Sequence, residues 1–168
     1  MNNAITGNII RFIALVLVQV IIFNNINFLG YINPYVYILF IAFFPVKNNR
    51  LVLILVSFIL GLSIDMFLDS GGIHAGASVF IAYVRPLLLK SSFGMIYEHQ
   101  TVRFGSVDFG SKLIYISLLV PLHHIVLFSL EIFNIFNILL ILEKTLFSSI
   151  FTILLSIIIS VIFSRKTK

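Results

Sequence analysis

The sequence predicts an all-α integral membrane protein, with six transmembrane helices in a compact bundle that forms a single domain over residues 1–168. Three observations predict it. The chain is 60% hydrophobic and only 10% charged, with a mean hydropathy of +1.15, whereas soluble domains are about half apolar and about a quarter charged. A domain this small keeps too much surface to hide that excess in a core, so lipid is its natural solvent. The apolar residues come in blocks long enough to approach the roughly 17–25 residues that cross a bilayer. Finally, loops rich in Lys and Arg alternate with loops that have none, which gives the blocks a consistent orientation.

The first span, about 8–23, carries Arg11 and ends at Asn24-Asn25-Ile26-Asn27. It lacks the small-residue cleavage site of a secretory leader, so it is expected to be retained. The second, 34–46, opens at Pro34 and is short, which suits a tilted or interfacial segment or a locally thinned bilayer. The third, 51–68, and the fourth, 73–90, are joined by a turn at Gly71-Gly72. The longest loop, 91–111, is polar and bears glycines; the fifth span follows at 112–133. The sixth is expected over 143–163, with 132–142 either an outer interfacial segment or an extension of that last helix.

Lys47 and Arg50 lie between spans two and three, Lys90, Arg103 and Lys112 between four and five, and Arg165, Lys166 and Lys168 after six. Loops 24–33, 69–72 and 134–137 have no Lys or Arg. The positive-inside rule then places both termini and loop 91–111 in the cytoplasm. Lys144 alone falls on the wrong side, beside the acid Glu143. The net charge of +5 does not point to nucleic acid, because the basic residues stand singly and form no dense patch. Membrane lipid is the expected neighbour.

Chemistry concentrates in residues 61–77. Asp65 lies inside an apolar helix, and an ionisable group there is costly and marks a site. Asp69 shares its face, four residues on. His74 opens the next helix at a similar depth, so an ion pair or hydrogen bond with Asp65 is expected, whether to lock the hairpin or to serve a function. Gly72-x3-Gly76, with Ala75, Ser78 and Ala82, gives span four a thin face for close helix approach, within the chain or between copies. Arg85-Pro86 lies toward the inner end of that span; the guanidinium is expected to snorkel to headgroups, and can also bind a buried acid or a carbonyl. His123 and His124 point about 100° apart on a helix and make poor joint metal ligands.

Catalytic sets are incomplete. The absence of cysteine excludes disulfides and thiol chemistry. Gly61-x3-Asp65-x3-Asp69 equals the tail of the metal-binding motif of CDP-alcohol phosphotransferases, but no aspartate precedes Asp65 to supply the other half. There is no HExxH, phosphate loop or nucleophilic serine motif. No enzyme activity and no cofactor are expected.

Gly61-Leu62-Ser63-Ile64-Asp65, then Gly72-Ile73-His74-Ala75, then Ala82-Tyr83-Val84-Arg85-Pro86 resemble the MreD family of rod shape-determining proteins, in a Bacteroidetes-like version. The resemblance extends to length, span count and the single longer inner loop. It implies a non-enzymatic member of the cell-elongation complex in the bacterial inner membrane. The implied partners are MreC, RodA with its partner transpeptidase, and MreB filaments reached directly or indirectly. It also implies a fold like that of the substrate-binding subunits of vitamin-uptake systems. Such a subunit, or a small transporter, is the alternative reading. Against it, the first helix offers only Ala14 where those subunits carry small residues at four-residue spacing.

Overall fold

The computed structural model describes residues 2–28, 32–46, 49–94, 97, 104 and 107–164. Lys47, Arg103, Arg165, Lys166 and Lys168, which carry much of the orientation argument, lie outside the described residues. The described chain is helical, with α1 over Asn2–Ile21, α2 over Ile38–Ala42, α3 over Arg50–Leu68 and α4 over Ile73–Phe93. Two more follow, α5 over Phe109–Ile132 and α6 over Ile138–Ser164. No strand occurs among the described residues; Phe28 and Ile32 exchange one isolated pair of main-chain bonds.

Four helical stretches are long and apolar enough to cross a membrane: Ile5–Asn25, α3, α5 and Ile138–Ser160. The chain is thus a multi-pass membrane protein. α4 has 21 residues, about 31 Å at helical rise, but His74, Arg85 and Lys90 lower its hydropathy. It lies between α3 and α5, and α6 packs on the far side of α5. Because neighbours cover it, α4 can carry polar groups that a lipid-facing helix could not. α1 has the opposite character: only 11% of its apolar window is buried, so its surface belongs to lipid.

The expected second span, 34–46, is not a continuous membrane helix. Only Ile38–Ala42 is α-helical, about 8 Å in length. Pro34 and Pro45 bracket it, and a proline disfavours helix at the residue before it. Yet Val36 through Ala42 are all buried, Tyr37, Ile38 and Ile41 completely, and this segment sits at the centre of the larger apolar cluster. Irregular backbone is tolerated at membrane depth when protein surrounds it.

Other boundaries also shift. α1 begins at Asn2 rather than near residue 8. α5 begins at Phe109, because the Asp108 carboxylate caps it by accepting from Ser111 N at 3.1 Å. α6 begins at Ile138 rather than 143, after a 3-10 turn at Ile135–Asn137. Residues 138–142 therefore extend the last helix. Lys144 is tolerated near its start because it pairs with Glu131 of α5 at 2.8 Å, a longer-range partner than the adjacent Glu143.

Candidate functional site

Two buried charges organise the interior. The first is Asp65, 4% exposed, in the last full turn of α3. α3 ends because Asp69 adopts a left-handed φ of 53°, and Gly71 and Gly72 turn the chain with φ of 67° and 96°. This brings the start of α4 back over Asp65. One carboxylate oxygen accepts from His74 N at 2.9 Å and from Ser70 Oγ at 2.5 Å; the other accepts from Ala75 N at 2.8 Å. The first N–H groups of a helix have no partner within it, and the helix dipole favours a negative charge there. Asp65 supplies both needs. The expected Asp65–His74 bond therefore runs to the main chain of His74, while the ring's Nδ1 has no hydrogen-bond partner.

Asp69 itself is exposed and forms the cap of α3, so it does not share a site with Asp65. Gly72 serves the turn. Gly61 has the tightest constraint: a Cβ there would lie 2.5 Å from Ala75 Cα and 2.6 Å from Ala75 N, and against His74 O. Glycine at 61 is what lets α3 lie backbone-to-backbone on α4. Ala75, Ser78 and Ala82 form a buried face of α4, as the small-residue pattern predicts. Gly76 does not belong to it; it is exposed, with only the Leu130 side chain nearby at 3.1 Å.

The second buried charge is Arg85, 3% exposed. It does not snorkel. Its Nη2 donates to Ala42 O at 3.2 Å and to Phe44 O, and its Nε donates to Tyr115 Oη at 3.1 Å. Tyr115 in turn donates to Ala42 O at 3.1 Å. α2 stops at Ala42, so its last carbonyls are left without helical partners; the guanidinium fork and the tyrosine fill them. Pro86 follows within α4 and is half-buried.

The other end of the 34–46 segment is held by Gln19 of α1. Its Nε2 donates to Pro34 O at 3.0 Å, and its Oε1 accepts from Tyr37 N at 3.2 Å. Thr152 Oγ1 of α6 accepts from Tyr35 N at 3.0 Å. Tyr35 and Tyr37 lie beside the His74 ring, whereas Ala42 and Phe44 meet Arg85, eleven residues further along α4. The segment thus descends about 16 Å through the bundle, roughly half the hydrocarbon thickness.

Around Tyr35 and Tyr37 the interior is polar. Tyr37 Oη and His123 Nε2 are 2.9 Å apart, and His124 Nδ1 and Ser149 Oγ are 3.0 Å apart. The two adjacent histidines thus serve different partners. His124 and Ser149 stand at nucleophile–base distance, but both are enclosed, and His124 Nε2 has no partner to orient the ring. Thr145, Ser149, Thr152 and Ser156 form a buried stripe along α6. At the α3–α4 turn, a crevice of about 210 Å³ opens beside His74 and Glu131.

The sequence reading singled out Asp65, Arg85 and the glycines but missed Gln19, Tyr35, Tyr37, Tyr115 and the polar stripe of α6. A signal existed for the stripe, since Thr145, Ser149, Thr152 and Ser156 recur at helical spacing. Compared with family models, with curated proteins and with solved structures, the chain matches none.

Proposed function

We propose that the chain is a non-enzymatic scaffold of the bacterial cell-elongation complex. In this reading it sits in the inner membrane with both termini cytoplasmic and binds MreC, RodA with its transpeptidase, and MreB filaments directly or indirectly. The carrying observation is that the three stretches resembling the MreD family fall on one hairpin, α3–α4, and include its closest approach at Gly61 and the hairpin's two buried charges, Asp65 and Arg85. The connections between helices are too short to form a domain of their own, so binding surface comes mainly from helix faces in lipid. The bare apolar surface of α1 is available for that purpose.

Affinity co-purification from cells with tagged MreC and RodA tests the reading. Co-purification together with rounded cells on depletion is the expected result; intact rod shape and no co-purification would refute it. Reporters active only in the periplasm, fused after Lys168 and at Glu98, should be silent. A second reading, a transporter or substrate-binding subunit, is favoured by the crevice at the α3–α4 turn. It expects small-molecule uptake by reconstituted protein that binds no elongation partner.

A further inference from the structure

We infer that the tip joining α5 to α6 is a lipid-binding surface, whose side chains insert among the upper acyl carbons of the membrane rather than standing in water or meeting another protein. The inference does not depend on the scaffold assignment.

Relative depth comes first. Leu68, Ser70, Ile73 and Glu131 line one crevice, and Lys144 binds Glu131 at 2.8 Å. The α3–α4 turn and the Glu131–Lys144 pair therefore lie at one level. On the α3–α4 side the chain reverses there, at the exposed Asp69 and at Gly71 and Gly72. On the α5–α6 side it continues. From Lys144 back to Leu139, α6 rises about 8 Å further, and the turn lies beyond. No residue from 132 to 142 is charged. Phe133 is 85% exposed, Phe136 92% and Leu139 79%. Apolar side chains clustered and bare to this degree mark an interface.

Two observations identify lipid as the occupant. Leu139 continues into Leu142, Leu146 and Ile150, exposed at helical spacing along one face of α6. Ile138–Ser160 is a membrane-crossing stretch, so the tip prolongs a surface already given to acyl chains. The turn also meets main-chain needs of its own. Phe133 N donates to Ser129 O at 3.0 Å, Asn137 N to Asn134 O at 3.1 Å, and Phe136 N to Asn134 Oδ1 at 3.0 Å. These bonds do not call on water, which acyl chains cannot supply. Just below the tip, the Lys144 ammonium is paired by Glu131, and a paired ammonium on a long stem is tolerated near headgroups. An offset of about 8 Å between the two sides of the bundle is met by tilt or by local thinning of the bilayer.

The chain has no tryptophan, so Phe136→Trp and, separately, Leu139→Trp report on the tip without background. Each full chain is placed singly in phosphatidylcholine nanodiscs, with Ile150→Trp as the acyl reference and free N-acetyltryptophanamide as the water reference. Both tip variants should lose more emission to phosphatidylcholine brominated near the top of its acyl chains than to lipid brominated near the chain ends. Ile150→Trp should show the reverse order. Aqueous acrylamide should quench both tip variants several-fold less than the free reference. Full acrylamide quenching with none from brominated lipid would put the tip in water, open to a protein partner, and overturns the inference. So does shelter from both quenchers, which would mean that the tip folds against its own chain.

Discussion

Asp65 and Arg85 sit on the same hairpin and solve opposite problems. At one end a carboxylate accepts from the free N–H groups that begin α4. At the other a guanidinium donates to the carbonyl of Ala42, which ends α2, and to that of Phe44 just beyond it. Neither charge has an oppositely charged side chain among its described hydrogen-bond partners. Each is held by main chain and hydroxyl groups, and each spares the main chain an unmet bond in lipid. The difference is reach. Asp65 binds residues five to ten positions on, whereas Arg85 binds residues 41 to 43 positions back. In a bilayer, then, a buried charge can be a device for ending helices rather than a catalytic group.

The largest loss should follow Arg85→Met. It strands the Phe44 carbonyl and removes one donor from Ala42 and one partner from Tyr115, at a cost of about 3 kcal/mol from the scale of charged hydrogen bonds. Thermal melting in detergent, followed by size exclusion, would read it. Arg85→Lys should recover only part, because an ammonium lacks the fork that reaches both carbonyls and Tyr115. A melt as high as the parent's would show that α2 stands without its clamp.

Asp65→Asn should cost slightly less, about 2 kcal/mol, because one amide oxygen remains to accept while the NH2 opposes a main-chain donor. Next in size is Gly61→Ala, where a methyl meets backbone that cannot swing aside and overpacking costs about 1–3 kcal/mol. Gly76→Ala meets only the flexible end of Leu130 and should change the melt little. Equal effects at the two glycines would mean that the α3–α4 contact is looser than its geometry. The smallest effect sharpens the comparison most. In a double-mutant cycle, Asp65→Asn and His74→Ala should be additive within about 0.5 kcal/mol, since Asp65 binds the main chain that alanine keeps. Strong coupling would instead place the imidazole on the carboxylate.

The α3–α4 turn was largely legible in the sequence because its parts are close together. An aspartate inside an apolar run, a glycine pair and the next helix start lie within ten residues. Helical periodicity found the small face at Ala75, Ser78 and Ala82, but spacing alone could not tell that Gly61 faces backbone while Gly76 faces outward. Arg85 and a carbonyl as one possible partner were legible, but not which carbonyls, because carbonyls leave no mark in a sequence. The second segment, expected as a short, tilted or interfacial span, differs for a related reason. Its apolar content is right, and only the distant Gln19, Arg85, Tyr115 and Thr152 reveal that it is a broken segment tied from four helices.

That segment also sets an order of events during synthesis. Residues 34–46 leave the ribosome with Gln19 already made, but Arg85 follows Ala42 by 43 residues, Tyr115 by 73, and Thr152 follows Tyr35 by 117. Until those arrive, the carbonyls that end α2 have neither protein nor helical partners, and lipid offers them none. The second segment in the chain is therefore the last to settle. Its carbonyls at Ala42 and Phe44 gain their side-chain donors only once Arg85 and Tyr115 are made, and the Tyr35 N–H gains its acceptor only with Thr152. Nascent chains halted before Tyr115 should leave Tyr35 and Tyr37 reachable by water-soluble reagents, whereas the finished protein should protect them.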